Sequence, residues 1–412
     1  MVQADAARIA EHLEELAAIG ADPRGGYSRL VYTESERKAH ALFRSWLDGY
    51  GLETSTDAVG NSFGVLAGTR DLPALMSGSH LDSVYQGGNF DGAVGVVAAV
   101  EIARVLSESG DLTHPLRIAA FAGEEGARFG APCIGSRLMT GAFTGDTLRE
   151  LTDRDGQTAW DAALGVGLGP DDAASAQWDP STVACFVEIH IEQGRVLEAR
   201  KRELGVVHTI GGSTRIELTF SGRADHSGAT PMWLRRDALV AAAEFIVAVE
   251  RRAQRHATTV ATVGTLNLQP GSLTTVPGQA TVGLDVRDID SERQRELTEV
   301  LLDDALRIAS GRELQVTARH LSDQSPVVLH GTVQNVLAAA ATSRDLSFIS
   351  MASGASHDSA HIAKQVPTGM VFIPCREGIS HAPQEHAEPA HIAQAVDVVI
   401  EAFRAIDAGA VV

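Results

Sequence analysis

Five short segments bring histidines and acids together in a way suited to hold metal ions. They are GSHLDSV around His80, NFDGAVG around Asp91, GEEGARF around Glu124 and Glu125, EIHIEQG around His190, and GISHAP around His381. Imidazole and carboxylate donors suit zinc, and also manganese, cobalt or nickel. Two ions ~3.5–4 Å apart need a carboxylate that reaches both. Asp91 sits in a glycine-rich turn that allows close approach, so it is the natural bridge. His80 and His190 would complete one ligand set, and Glu125 and His381 the other. Two carboxylates against two dications leave a positive site, which acidifies a bridging water to a pKa of ~7. Asp82, two residues past His80, could accept that ring's second N–H and fix its orientation. It could equally be a turn aspartate capping the backbone that follows. Glu124 and Glu125 are adjacent and cannot point the same way, so one can bind metal while the other serves as general base. Taken alone, two acids at a helix start need no more than the helix dipole to explain them. Five such clusters in one chain are harder to assign to chance.

These segments need strand ends to position them. Residues 116–122 (LRIAAFA) and 185–191 read as buried strands, and Leu75-Met76-Ser77 ends another. Residues 92–106 form an apolar helix, and the first twenty residues an amphipathic one. Strands alternating with helices predict an α/β layer with a mostly parallel sheet, whose ligands bind where strands end. Residues 151–180, rich in Asp, Ala and Gly, read as a surface excursion. The pattern changes near Gly211. Strands at 215–220, 259–267, 281–287 and 314–321 interleave with helices at 236–255 and 291–310, the latter with Ser291 as N-cap. That order, β-α-β-β-α-β in about 110 residues, is the ferredoxin-like split arrangement. A final helix covers 389–406. The expected architecture is an α/β domain formed by 1–210 and 328–412, its mostly parallel mixed sheet flanked by helices, with an inserted α+β domain at 211–327.

Composition narrows the function classes. The 412 residues carry 34 basic and 53 acidic side chains, a net charge of −19, which disfavours a nucleic-acid partner or an anionic membrane surface. No apolar run reaches the length of a membrane span, and no basic stretch leads into an apolar one as in a secretory signal. Three scattered cysteines, Cys133, Cys185 and Cys375, suit neither a disulfide framework nor a cysteine zinc site, so a cytoplasmic location is the simplest expectation. Gly87, Gly88, Gly92 and Gly95 lack phosphate-loop spacing, and no G-x-S-x-G elbow is present. His357 and His361 read as a packed or solvent-facing pair, and His386 and His391 as surface residues.

The ordered set His80-x-Asp82, Asp91, Glu124-Glu125, HIEQG and GISH resembles the di-metal aminoacylase and carboxypeptidase superfamily. More narrowly, it resembles the hydantoinase/carbamoylase-type branch of N-carbamoyl-L-amino acid hydrolases, allantoate and ureidoglycolate amidohydrolases and β-ureidopropionases. HIEQG at 190–194, DHSGATPMWLRRDA at 225–238, LDVR at 284–287 and SGASHD at 353–358 carry the narrower likeness. Related peptidases usually place a carboxylate where His190 stands. The likeness runs in order over nearly the whole chain.

The resemblance implies that His80, Asp91, Glu125, His190 and His381 ligate two divalent ions per subunit, zinc first among them. It implies Glu124 as general base, activating hydroxide on the metals against the carbamoyl carbon of an N-carbamoyl-L-amino acid or related ureido acid. It makes the inserted domain a dimerisation domain, with His226 completing the partner's site in trans and stabilising the oxyanion. Arg287 would bind the substrate carboxylate, while Gln193 and the backbone at Gly354 would line the pocket. Without the resemblance, His226 and Arg287 would rank as ordinary strand-end polar residues. Three departures fall at the substrate end. Thr274 and Thr275 occupy a turn that commonly carries Asn, Ser356 stands where SGAGHD has glycine, and DHSG replaces the usual NHAG around His226. Thr274 therefore offers a shorter reach and no amide. The alternative activities are an allantoate or ureidoglycolate amidohydrolase and an N-acyl amino acid or dipeptide hydrolase. The non-enzymatic alternative is a metal-binding scaffold dimer.

Overall fold

A strand covered by helices on both faces must be apolar at nearly every position. Ala74–His80 is buried throughout its length, and Val183–Ile191 at all but one position. In the computed structural model, which describes residues 3–110 and 112–410, these strands lie at the centre of a mixed sheet. Seven of its nine strands run in the order Glu53–Thr56, Ser62–Leu66, Leu116–Phe121, Ala74–His80, Val183–Ile191, Thr368–Ile373 and Leu204–Ile210. The four strands from Leu116–Phe121 to Thr368–Ile373 are parallel, and their neighbours on either side are antiparallel.

Side chains along these strands divide between the two faces with the period of two that a pleat imposes. Leu75, Ile118, Ala120, Val187 and Ile189 join one core cluster, while Met76, Ala119, Phe121 and Phe186 join another. The helix Ala93–Ser109 packs on the first face and is buried from Ala93 to Leu106. An all-round apolar helix belongs in an interior. Its two charged residues there, Glu101 and Arg104, pair with each other at 2.7 Å. The helix begins as expected and runs three residues longer, ending at a left-handed Gly110 cap.

From Ala74–His80 the chain passes to Leu116–Phe121 on one side, and later to Val183–Ile191 on the other. This is a topological switch point, the place where open α/β sheets bind ligands at the carboxyl ends of strands. His80 is the last residue of the strand at that point.

The chain divides into two compact units, one up to His208 and from Val328 onward, the other Thr209–Val327. The second has a four-stranded antiparallel sheet in the order Gln315–Gln324, Gly212–Ser221, Gln279–Asp288, Val260–Gln269. Gly212–Ser221 and Gln279–Asp288 alternate strictly between buried and half-buried residues, as strands covered on one face do. Helices Ala238–Ala253 and Ser291–Gly311 cover that face, around Ile216, Phe220, Val282, Phe245 and Leu301.

Two sequence expectations are corrected. Ser291 is the first helical residue, not the N-cap. Asp290 holds that place, its carboxylate accepting from the Glu292 and Arg293 amides. Residues 151–180 are not a bare excursion. They contain the helix Ala159–Gly165 and the turn Pro170–Ala176, packed with Leu148, Ile134 and Tyr32 into a satellite core that buries Trp160.

Candidate metal centre

The carboxyl ends of three adjacent parallel strands supply most of the site. His80 ends Ala74–His80, and His190 is next to last in Val183–Ile191. Glu124 and Glu125 follow Leu116–Phe121 after a turn at Gly123, and Asp91 precedes the buried helix. His381 lies beyond Thr368–Ile373. Gly92 has φ +65°, and a Cβ there would collide with the His80 imidazole, so this position admits only glycine.

Donor atoms of His80, Asp91 and His190 lie within 4.8 Å of one another, and so do those of Asp91, Glu125 and His381. Asp91 is common to both sets. Its Oδ1 is 3.2 Å from His190 Nε2 and 3.7 Å from His80 Nε2, while Oδ2 is 3.3 Å from His381 Nε2. Glu125 lies 3.1 Å from the same His381 nitrogen. Asp91 Oδ1, His190 Nε2 and Glu125 Oε1 are buried yet make no hydrogen bond of proper geometry. Buried polar atoms left without partners are costly, and two of these, Asp91 Oδ1 and His190 Nε2, face each other at 3.2 Å. Orphaned donor atoms of imidazole and carboxylate type, grouped about a shared carboxylate, fit two divalent cations.

The protonation pattern agrees with such a sink for positive charge. Burial opposes charge on His80, but Asp82 and Glu124 outweigh it and raise its pKa well above the ordinary value. Burial likewise opposes charge on His190, and Asp91 wins. Asp91 and Glu125 raise His381 to about 11. The carboxyl of Asp91 is held well below the usual range, because contacts with His190 and His381 overcome its burial. Burial drives Glu124 well above the normal carboxylate range, with only partial relief from His80.

The orienting contacts differ from the sequence expectation at Asp82. His80 Nδ1 faces the Asp82 backbone carbonyl at 3.1 Å, and the Asp82 carboxylate is at 3.5 Å. That carboxylate instead accepts the amides of Glu124 at 2.9 Å and Glu125 at 3.1 Å, fixing the loop that carries both acids. The orienting and capping roles are thus shared between two parts of one residue. His190 Nδ1 lies 3.0 Å from the Ile191 carbonyl. With Nδ1 so engaged, each ring presents Nε2 to the cluster.

Gln193 adopts φ +56° and donates to Asp91 Oδ2 at 2.7 Å, so it touches the shared carboxylate itself. Gly354 is exposed in the loop after Phe348–Ser353. His226, Thr274 and Arg287 belong to the second unit. A two-residue bridge pairs His226 with Thr275, bringing the Thr274 turn beside it. His226 Nδ1 accepts the amides of Gly228 and Ala229, both at 3.1 Å, which puts the ring proton of the neutral form on Nε2. The Arg287 fork lies on Asp285, at 2.9 Å at its shortest.

Sequence reasoning missed several supporting residues. Glu385 Oε1 accepts the Phe90 and Asp91 amides at 2.8 Å, and Oε2 accepts Ser380 Oγ at 3.1 Å and the His381 amide at 3.3 Å. One carboxylate thus clamps the two loops that bear Asp91 and His381. Its position four residues after His381 was the available signal. His357, expected only to pack or face solvent, is buried with its ring edge-on to His190 at 4.6 Å and its Nε2 2.8 Å from Ser353 Oγ. His361 is buried as well, and His386 and His391 are half-buried at the surface.

The model of peptidase family M20/M25/M40 matches residues 76–405. The chain is 40% identical to the N-carbamoyl-L-amino acid amidohydrolase of Geobacillus stearothermophilus, over 93% of this chain and 94% of that one. It is 34% identical to the allantoate amidohydrolase of Escherichia coli, over 94% and 95% of the two chains. A crystal structure of a hydantoinase/carbamoylase family amidase from Burkholderia multivorans superposes with a TM-score of 0.88 at 33% identity, covering 98% of each chain.

Proposed function

The chain belongs to peptidase family M20/M25/M40, and from that premise we propose a metal-dependent amidohydrolase that cleaves the carbamoyl C–N bond of an N-carbamoyl-L-amino acid. The observation that carries the reading is Asp91, shared by two donor sets with the Glu124 carboxylate 3.8 Å from His80. His80, Asp91 and His190 would hold one ion, and Asp91, Glu125 and His381 the other, with zinc as the first candidate. Two such ions, when bound, polarise the carbamoyl carbonyl and acidify water at the site.

Glu124 takes the proton that the attacking water loses as its oxygen bonds to the carbamoyl carbon. It then gives that proton to the amino nitrogen as the C–N bond breaks, and the carbamic acid released decomposes to ammonia and carbon dioxide. Burial of Glu124 favours this exchange, because it strengthens the carboxyl's hold on a proton. His226 donates a hydrogen bond from Nε2–H to the oxyanion of a partner subunit's substrate, a contribution of ~2.7–4 kcal/mol for a preorganised donor. This reading makes the unit Thr209–Val327 the ferredoxin-like dimerisation domain of a homodimer. Arg287 binds the substrate carboxylate after exchanging Asp285 for it, and Thr274, Gln193 and the Gly354 backbone line the pocket. The three cysteines are unpaired, which suits a reducing cytoplasm. Among the described residues no helix is long and apolar enough to cross a membrane.

The test is ammonia release by metal-loaded protein on N-carbamoyl amino acids, allantoate, ureidoglycolate and 3-ureidopropionate, with release of free amino acid measured on N-acetyl amino acids alongside. Preference for an N-carbamoyl amino acid supports the reading. Preference for allantoate, the substrate named for the Escherichia coli relative, replaces it within the same chemistry. Turnover of the acetyl compounds alone refutes it.

A further inference from the structure

We propose that Cys133 is a positioning residue for the general base, its thiol holding one oxygen of Glu124 while Ser356 steadies the thiol. The inference rests on the reading of Glu124 as base. Cys133 Sγ lies 3.3 Å from Glu124 Oε1 and 3.7 Å from Ser356 Oγ. The other carboxylate oxygen, Oε2, faces His80 Nε2 at 3.8 Å. The two oxygens are thus divided, one towards the metal-ligand cluster and one towards the thiol.

The backbone fixes this arrangement. Cys133, Ile134 and Gly135 donate in turn to the carbonyls of Glu124, Gly123 and Ala122, at 2.9, 2.9 and 2.8 Å. Cys133 itself has φ +58°, a left-handed conformation that an L-residue adopts only when its surroundings impose it. It is wholly buried, which pushes the thiol pKa well above its usual value and keeps the proton on sulfur. The thiol can therefore donate to the carboxylate, though more weakly than a hydroxyl would. Ser356 is the residue that replaces glycine in SGASHD, and its hydroxyl is what meets the sulfur. A carboxylate anchored at one oxygen keeps one rotamer. A carboxylate without the anchor samples others in which Oε2 leaves the cluster.

The experiment compares Cys133→Ala, Cys133→Ser and Ser356→Gly in the zinc-loaded enzyme, with metal content and thermal unfolding recorded for each. Loss of one such hydrogen bond predicts a fall in kcat of about five- to tenfold for Cys133→Ala, with KM within about twofold. Cys133→Ser should recover most of kcat, and Ser356→Gly should lose about twofold. The S–H stretching band of Cys133, assigned by difference from Cys133→Ala, should also shift in Glu124→Gln. An unchanged kcat in Cys133→Ala overturns the proposal. So does a kcat loss that Cys133→Ser leaves uncorrected, or an S–H band indifferent to residue 124. The reading beneath it fails separately, when Glu124→Gln with full metal content still turns over at the normal rate.

Discussion

Replacing Glu385 by alanine should weaken metal binding more than it weakens the fold. The carboxylate accepts two short amide bonds, from Phe90 and Asp91, and longer ones from Ser380 and His381. Bonds to a charged acceptor contribute ~1.5–3 kcal/mol each, so the two short ones supply ~3–6 kcal/mol. Burial first, and then repulsion from Asp91, raise the Glu385 carboxyl to about 7 even with these bonds in place, so in metal-free protein the clamp adds little. Dications at Asp91 would cancel the repulsion though not the burial, so the clamp should stabilise the loaded protein more than the metal-free one. Contacts that hold ligands in place from outside usually control ~10- to 100-fold in metal affinity, and a loss in that range is expected here. Competition with a calibrated chelator reads the affinity, and thermal unfolding with and without zinc reads the two stabilities. Gly88→Ala gives an independent perturbation, since its Cβ would collide with the Glu385 carboxylate, and it should change affinity in the same direction. Glu385→Ala that folds and binds zinc within about threefold of the parent would refute the reasoning.

Glu124→Gln should retain both metals while turnover falls by orders of magnitude, measured by ammonia release and metal analysis. His226→Ala should be inactive alone, and mixing it with Glu124→Gln should restore activity after subunit exchange; no recovery would rule out a shared site. Gly92→Ala should displace His80 and lower metal content in the folded protein, read by elemental analysis. The buried pair Glu36 and His40 yields a prediction about pH, since burial raises the former to about 8 and lowers the latter to about 3. His40 contributes stability that is present above pH 6.5 and lost as pH falls towards 3. Glu36 contributes the opposite, stability present below pH 4.5 and lost as pH rises through 8. Between pH 4.5 and 6.5 the two slopes cancel, so Glu36→Gln should lose about 1.4 kcal/mol per unit of acidification there, measured by urea unfolding, while the parent shows no such slope from this pair.

What the sequence makes legible is local. His80, Asp91, Glu124, Glu125, His190 and His381 each lie beside a strand end or helix start that its own neighbours announce, and the sheet then brings them together. Glu385 and Cys133 escape because their partners are distant in the chain or lie across an unusual turn. Glu385 meets Phe90 through 295 positions of chain, and Cys133 reaches Glu124 only through a left-handed backbone. The Ser291 error has a smaller cause. Two good capping residues stand side by side, and the Asp290 carboxylate is the one that reaches the first helical amides. Residues 151–180 read as a surface excursion on composition, yet their few apolar side chains, Trp160 above all, pack into a shared cluster that no short window reveals.

All three cysteines are buried, and burial raises each thiol above its ordinary pKa. The native protein should therefore be nearly inert to maleimides. A cysteine introduced at a solvent-facing position would then be the one fast-reacting thiol. Leu273 in the second unit is fully exposed, and Arg154 in the first has a side chain 75% exposed. A dye attached at either position would report on its own unit alone, without the removal of any native cysteine.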